Sequence, residues 1–253
     1  MQSELNKGAS MEKIKIIIDG KEVEAIRDQC VLDVAREQGI YIPSLCYHPE
    51  VTSSGGSCRV CLVEAHQGGR MRLVTSCNYP VREGLEVKTD TELVRRIRKG
   101  VLELLLARVP DSEIIQDLAR RDGIETPRYF VDEGESYRYK CIACGLCAQV
   151  CDEVVGVNAI SMLARSREKF PGTPFHKPSQ ACIGCGACAY VCPTGAISMK
   201  DDDDVRTIWG RQFKLIKCSV CEKPYIPEAQ ADWIVKTTDK DRSFFDICPD
   251  HRK

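Results

Sequence analysis

The chain has 253 residues, 43% hydrophobic and 29% charged, which fits one to three globular modules and not a disordered or membrane chain. With 36 basic and 37 acidic side chains the formal net charge is -1, leaving no global field to attract nucleic acid or anionic lipid. The most apolar stretch, Val101 to Val109, is interrupted by Glu103 and Arg108 and falls well short of the roughly 20 apolar residues of a membrane span.

Met1–Ser10 is polar and lacks the apolar core of a secretory signal, so it reads as a flexible tail, with Met11 as an alternative start and the cytoplasm as the expected location. Lys13–Ile18 and Lys21–Ile26 flank Asp19-Gly20, a hairpin signal. Val31–Gln38 has helical spacing and stops at Gly39. A loop rich in Gly and Ser (Ser53 to Ser57) follows. Then come apolar runs at Cys61–Ala65 and Arg72–Thr75, separated by Gly68-Gly69, and a last run at Leu85–Lys88. Hairpin, helix and further strands around a cysteine loop describe a β-grasp fold. From Thr91 a long helix is expected on a cationic background of Arg95, Arg96, Arg98 and Lys99, read as its solvated face. Pro110-Asp111-Ser112 breaks it and caps a second helix that runs through Arg121 and ends at Gly123.

A repeat then recurs. Cys141-Ile-Ala-Cys144-Gly-Leu-Cys147-Ala-Gln-Val-Cys151 is matched by Cys182-Ile-Gly-Cys185-Gly-Ala-Cys188-Ala-Tyr-Val-Cys192, and each copy ends in Ala-Ile-Ser-Met, at Ala159–Met162 and Ala196–Met199. Two duplicated halves, each a short helix plus strands, fit a ferredoxin-like core. Asp201–Asp204 reads as a linker to a last module. The overall expectation is an α+β chain: tail 1–10, β-grasp domain 11–91, helical connector 92–132, dicluster ferredoxin domain 133–204 and a small zinc-ribbon-like module 205–253.

Most of the 16 cysteines fall in closely spaced groups, which converge on a metal more readily than they pair as disulfides and imply a reducing compartment. Cys46, Cys58, Cys61 and Cys77 can hold a [2Fe-2S] cluster, with structural zinc as the alternative; Gly55 and Gly56 let the backbone close over it and aim amides at sulfur. C-x2-C-x2-C-x3-C occurs twice, and in two-cluster ferredoxins the fourth cysteine of each run serves the other cluster. One [4Fe-4S] is therefore expected on Cys141, Cys144, Cys147 and Cys192, the other on Cys182, Cys185, Cys188 and Cys151. Pro193 follows Cys192, whereas Asp152 stands after Cys151. Cys218, Cys221, Cys248 and His251 form a Cys3His set of structural-zinc type; a fourth iron-sulfur cluster or rubredoxin-like iron is the alternative. Cys30 reads as a buried neutral thiol at a helix start, His48 as fixing the turn after Cys46, and His66 and His176 as exposed loop residues.

Tyr41-Ile-Pro-Ser-Leu-Cys46-Tyr-His-Pro49, together with the two cysteine patterns in this order, resembles the amino-terminal region of the large iron-sulfur subunit of complex I. It is similar also to iron-only hydrogenases, NAD-linked formate dehydrogenases and the small diaphorase subunit of NAD-reducing hydrogenases. The likeness runs from about Met11 to Met199. In complex I, iron-only hydrogenases and the diaphorase subunit a further [4Fe-4S] with a histidine ligand normally lies between the two modules, in a pattern like H-x3-C-x2-C-x5-C; here Leu106–Ile115 contains neither histidine nor cysteine. The relay is then either shortened by direct packing of the modules or completed by a partner's cluster. The resemblance implies a non-catalytic electron-transfer subunit of an NAD(P)-linked oxidoreductase (hydrogenase, formate or aldehyde dehydrogenase, or bifurcating complex). It would be docked between a flavin-containing NAD(P)-binding subunit and a catalytic redox subunit, with soluble ferredoxin as a further partner. A free-standing polyferredoxin carrier and a zinc-dependent redox sensor are the rival readings; neither a nucleotide motif nor a basic stripe with interleaved aromatics is present in the sequence.

Overall fold

A computed structural model describes residues 12–52, 54–129 and 140–252. The expected tail over Met1–Ser10, Met11, the loop residue Ser53 and the boundary at 132/133 lie outside the described residues. Helices and sheets are mixed in two compact units, Met1–Tyr47 with Gly55–Cys144 and His48–Ser54 with Gly145–Lys253. Among the described residues no helix is long and apolar enough to cross a membrane.

In the first unit, β1 (Lys13–Ile18) alternates outward Lys13, Lys15 and Ile17 with buried Ile14, Ile16 and Ile18, the period-two pattern of a strand covered on one face. Asp19 and Gly20 both take left-handed backbone (φ 48° and 80°), the two-residue turn whose twist suits a hairpin. The chain returns antiparallel as β2 (Lys21–Ile26). Helix α1 (Val31–Glu37) lays Val31, Leu32, Val34 and Ala35 into the same core and ends before Gly39 (φ 70°). Each large aliphatic side chain buried here contributes about 1.5–3 kcal/mol. β3 (Leu62–Gln67), β4 (Arg70–Thr75) and β5 (Glu86–Lys88) complete a five-stranded sheet in the order β2-β1-β5-β3-β4, with β1 and β5 parallel.

Helix α2 (Glu92–Arg108) begins where the Thr91 hydroxyl accepts the Val94 amide at 3.1 Å, a cap worth about 1 kcal/mol. α3 (Glu113–Arg121) follows Ser112, which occupies the cap position without a side-chain cap bond. Leu102, Val109, Ile115, Leu118 and Ala119 pack with Leu45, Cys46, Cys58 and Val60 in one apolar cluster. The connector thus forms the wall behind the first cysteine site. The cationic face is not uniformly solvated: Arg95, Arg96 and Lys99 are exposed, but Arg98 is buried, 2.8 Å from Asp122 and 3.2 Å from Asp90. Helical periodicity places it on the inner face, where two carboxylates make its burial affordable. His66 likewise departs from the exposed-loop expectation. It lies within β3, half-buried, with Nε2 3.3 Å from a Glu64 carboxylate oxygen.

In the second unit, α4 (Leu146–Gln149) and α5 (Ala187–Tyr190) are the short helices of the two repeat copies. They enter from left-handed Gly145 (φ 85°) and Gly186 (φ 79°). α4 runs on as a π turn over Val150–Val154. The first copy's β6 (Ser161–Leu163) pairs with β7 (Phe170–Gly172). The second copy's β8 (Met199–Asp202) joins an antiparallel four-stranded sheet with β9 (Val205–Ile208), β10 (Arg211–Lys217) and β11 (Pro224–Pro227), in the order β11-β10-β9-β8. The expected linker Asp201–Asp204 is therefore ordered structure. Asp201 and Asp202 pair with Arg206 and Val205, and Asp203 (φ 49°) makes the turn; aspartate suits that turn as well as it suits a linker. Helix α6 (Glu228–Thr237) follows β11. His176 is exposed as expected, stacked on Phe170 at 5.8 Å between centroids.

Candidate metal centres

The first site gathers Cys46, Cys58, Cys61 and Cys77, all buried. Cys61 and Cys77 sulfurs lie 3.3 Å apart, the Cys58 amide donates to Cys46 Sγ at 3.3 Å, and the Gly56 amide donates to Cys77 Sγ at 3.0 Å. Gly55 (φ 103°) is required twice over, by its backbone conformation and because a Cβ there would lie 2.8 Å from Cys77 Sγ. The Cys58 and Cys77 thiols donate to Cys46 and push it down to about 3, while the same contacts and burial push Cys58 and Cys77 far up. Four thiols so crowded cannot all ionise without a cation among them. That donor set, with amides aimed at sulfur, fits a thiolate-ligated cluster. Cys30 sits at the α1 cap position beside this core, half-buried, donating to Asp33 at 3.1 Å; burial pushes it up to about 11. It is the neutral thiol expected at a helix start. His48 Nδ1 accepts the Glu50 amide at 3.3 Å, holding the turn.

In the repeat, Cys141 and Cys144 lie in the first unit, while Cys147 and Cys192 lie in the second. The Ala143 amide donates to Cys141 Sγ at 3.3 Å, and Arg108 Nε holds the Cys141 carbonyl at 2.9 Å. Ile142, with half-buried Cys144 beside it, packs in the same apolar cluster as Cys46 and Cys58. Within the second unit, Cys151, Cys182, Cys185 and Cys188 line a single apolar cavity together with Ala159, Ile160, Ile208 and Trp209. Those are the four cysteines that the crossed pairing assigns to one cluster. The closing Ala-Ile-Ser-Met of each copy now has a physical role: Ala159 donates its amide to Cys151 Sγ at 3.3 Å, and Ala196 donates to Cys192 Sγ at 3.2 Å. Their partners Met162 and Met199 lie against Gly145 and Gly186.

Sequence reasoning missed Trp209, whose indole Nε1–H donates to Cys188 Sγ at 3.4 Å. Burial pushes Cys188 up to about 11, opposed by that N–H. The one local signal was a Trp-Gly pair at a hairpin turn, where Asn-Gly or Asp-Gly is usual.

At the carboxy terminus the ligand atoms of Cys218, Cys221, Cys248 and His251 all lie within 4.8 Å of one another. Cys248 Sγ is 3.1 Å from His251 Nδ1 and 4.0 Å from Cys221 Sγ. The Cys248 amide, donating to Cys218 Sγ at 3.3 Å, holds Cys218 down to about 6. Tyr225 and Arg252 fasten the returning segment, through Tyr225 Oη to the Phe245 carbonyl at 2.7 Å and Arg252 Nη2 to the Ile247 carbonyl at 2.7 Å. Four donors converging from the end of β10 and the carboxy-terminal turn fit one small tetrahedral cation.

Residues 11–92 match the family described as a 2Fe-2S iron-sulfur cluster binding domain, and residues 140–196 and 181–223 match the 4Fe-4S dicluster domain. The chain is 33% identical over 172 residues to the NADPH-Fe(3+) oxidoreductase subunit alpha of Geobacter sulfurreducens, covering 60% of this chain and 20% of that protein. It is 32% identical over 175 residues to the NADH-ubiquinone oxidoreductase 75 kDa subunit of Reclinomonas americana, covering 61% and 25%. The chain thus spans about a fifth to a quarter of the length of these relatives. A chain of the crystal structure of an NAD+-reducing [NiFe]-hydrogenase in the H2-reduced state superposes with a TM-score of 0.61 at 27% identity, over 72% of this chain and 85% of that one. The resemblance to the complex I large iron-sulfur subunit and to NAD-reducing hydrogenase, read above from Tyr41–Pro49 and the cysteine order, is borne out. The chain carries a 2Fe-2S-type domain and a 4Fe-4S dicluster domain.

Proposed function

We propose that this chain is the electron-conducting subunit of an NAD(P)-linked oxidoreductase. It would relay single electrons between a flavin-containing NAD(P)-binding subunit and a catalytic redox subunit, with soluble ferredoxin as a further partner, in the cytoplasm. Cys46, Cys58, Cys61 and Cys77 hold a [2Fe-2S] cluster in a β-grasp domain spanning 11–91, with 92–132 as the connector. Cys141, Cys144, Cys147 and Cys192 hold one [4Fe-4S], and Cys182, Cys185, Cys188 and Cys151 the other, in the dicluster domain 133–204. Zinc occupies Cys218, Cys221, Cys248 and His251 in a zinc-ribbon-like carboxy-terminal element that follows the strands β9 and β10, where it fastens a segment too small for a core of its own. The clusters supply sites that accept and return one electron each; the protein binds, spaces and insulates them.

The observation that carries this reading is the convergence of thiols under aimed backbone amides, at Cys46 to Cys77 and again at Cys151 with Cys182 to Cys188. Within the first unit, Cys46 and Cys58 share an apolar cluster with Ile142 and Cys144. Anaerobic reduction with dithionite should give one binuclear and two tetranuclear EPR signals, the tetranuclear pair magnetically coupled. The native protein should co-purify with a flavoprotein. A colourless protein with no signal after reduction would refute the reading; three signals in a monomer that captures no flavoprotein would refute the subunit assignment.

A further inference from the structure

We propose that the β9–β10 hairpin is a potential-setting cover for the centre of Cys151, Cys182, Cys185 and Cys188, and that Trp209 is its positioning donor. The proposal rests on the reading of that centre as a [4Fe-4S] site.

Trp209 and Gly210 form the two-residue turn between β9 and β10, both with left-handed backbone (φ 51° and 72°). Asn, Asp and Gly tolerate the first position of such a turn, whereas a bulky side chain is strained there. Strain of this kind persists where the surroundings over-determine it, and it marks function when the strained residue touches a functional group. Here the indole N–H reaches Cys188 Sγ at 3.4 Å, and Ile208 and Trp209 together close the cavity lined by the four thiols.

The rest of the hairpin is fastened to the same ligand loop. Arg211 Nη1 donates to the carbonyls of Ser179, Gln180 and Cys182 at 2.8, 3.0 and 2.7 Å, and Arg206 Nη1 donates to that of Gly184 at 3.2 Å. Phe213 packs so closely on Gly184 that a Cβ there would lie 2.6 Å from the ring. Gly184 is glycine in this copy because the hairpin lies on it. These contacts fix the loop and the indole relative to one another.

The potential of an iron-sulfur centre follows its net charge, the hydrogen bonds to its sulfurs and its exposure to solvent. Reduction adds one negative charge. The apolar lid disfavours that charge, while the N–H dipole on Cys188 and the Arg211 guanidinium favour it; the Arg206 guanidinium is paired with Asp201 at 2.8 Å. Removing the indole N–H takes away one of the groups that favour the added charge and leaves the apolar cover in place, so the potential must fall.

The test uses the full chain with its clusters, titrated with dithionite and mediators under EPR. Trp209→Phe keeps the ring and removes the N–H. We expect one [4Fe-4S] couple to move about tenfold in its reduction equilibrium, 59 mV more negative for a one-electron step, while the other [4Fe-4S] and the [2Fe-2S] stay put. Should the variant lose iron, Trp233→Phe protein leaves Trp209 as the one tryptophan of the two in the chain. With 15N-indole labelling, pulsed EPR should then detect nitrogen coupling on a single tetranuclear signal. Intact signals with unmoved potentials, or no 15N coupling, would overturn the proposal alone; absence of any tetranuclear signal would overturn the underlying cluster reading with it.

Discussion

The two copies of the repeat share their ligand spacing residue for residue, yet they solve the same local problems with different side chains. At the second position after the first cysteine both need left-handed backbone. The first copy uses Ala143 (φ 53°) and the second uses Gly184 (φ 71°), the difference being Phe213 lying on the latter. After the fourth cysteine the first copy has Asp152, whose backbone N–H lets the helix continue as a π turn in which Val155 bonds back to Val150 at 3.0 Å. The second copy has Pro193, which has no N–H to continue a helix. Ligand geometry is thus set by the shared cysteines, glycines and Ala-Ile-Ser-Met segments, while what lies over each loop is decided by sequence elsewhere.

Cys151→Ser should abolish the tetranuclear signal of the second copy's loop, and Cys192→Ser that of the first, because the proposed pairing gives each centre the other copy's fourth cysteine; loss of the same-copy signal in each case would overturn the crossed pairing. Stripping the carboxy-terminal metal with a chelator should leave the iron in place but open the segment after β10 to proteolysis, since metal-binding energy there is folding energy. Asp152→Pro should cost about 3 kcal/mol or more by interrupting the continued helix, whereas Pro193→Ala should change stability by less than about 1 kcal/mol; thermal unfolding distinguishes them. Gly184→Ala should cost about 2–3 kcal/mol through its clash with Phe213 and its left-handed backbone. Ala143→Gly, the reciprocal change, should be near neutral, to within about 1 kcal/mol.

Much of the first unit was legible because its signals are local. Alternation of Ile14, Ile16 and Ile18, the Asp19-Gly20 turn, the helix start after Thr91 and the Gly123 stop each report on their own few residues, and the elements fall where those residues place them. Cysteine spacing made the thiol groups legible for the same reason. What could not be read are contacts made across the fold. Arg98 carries the same charge as its exposed neighbours, and its burial is explained by Asp90 together with Asp122, 24 residues away. Asp201–Asp204 has a linker's composition, yet strand pairing with Val205–Ile208 organises it. The amides of Ala159 and Ala196 carry no side-chain signature at all, and Trp209 meets Cys188 only because β9 and β10 fold back over the ligand loop.

On the proposed reading, twelve cysteines hold one binuclear and two tetranuclear iron-sulfur centres in a chain built to pass electrons. Iron and acid-labile sulfide determined on protein isolated without oxygen test it most directly. The expected result is about ten irons per chain with matching sulfide and a single zinc; a protein rich in zinc and poor in iron, without labile sulfide, would contradict it.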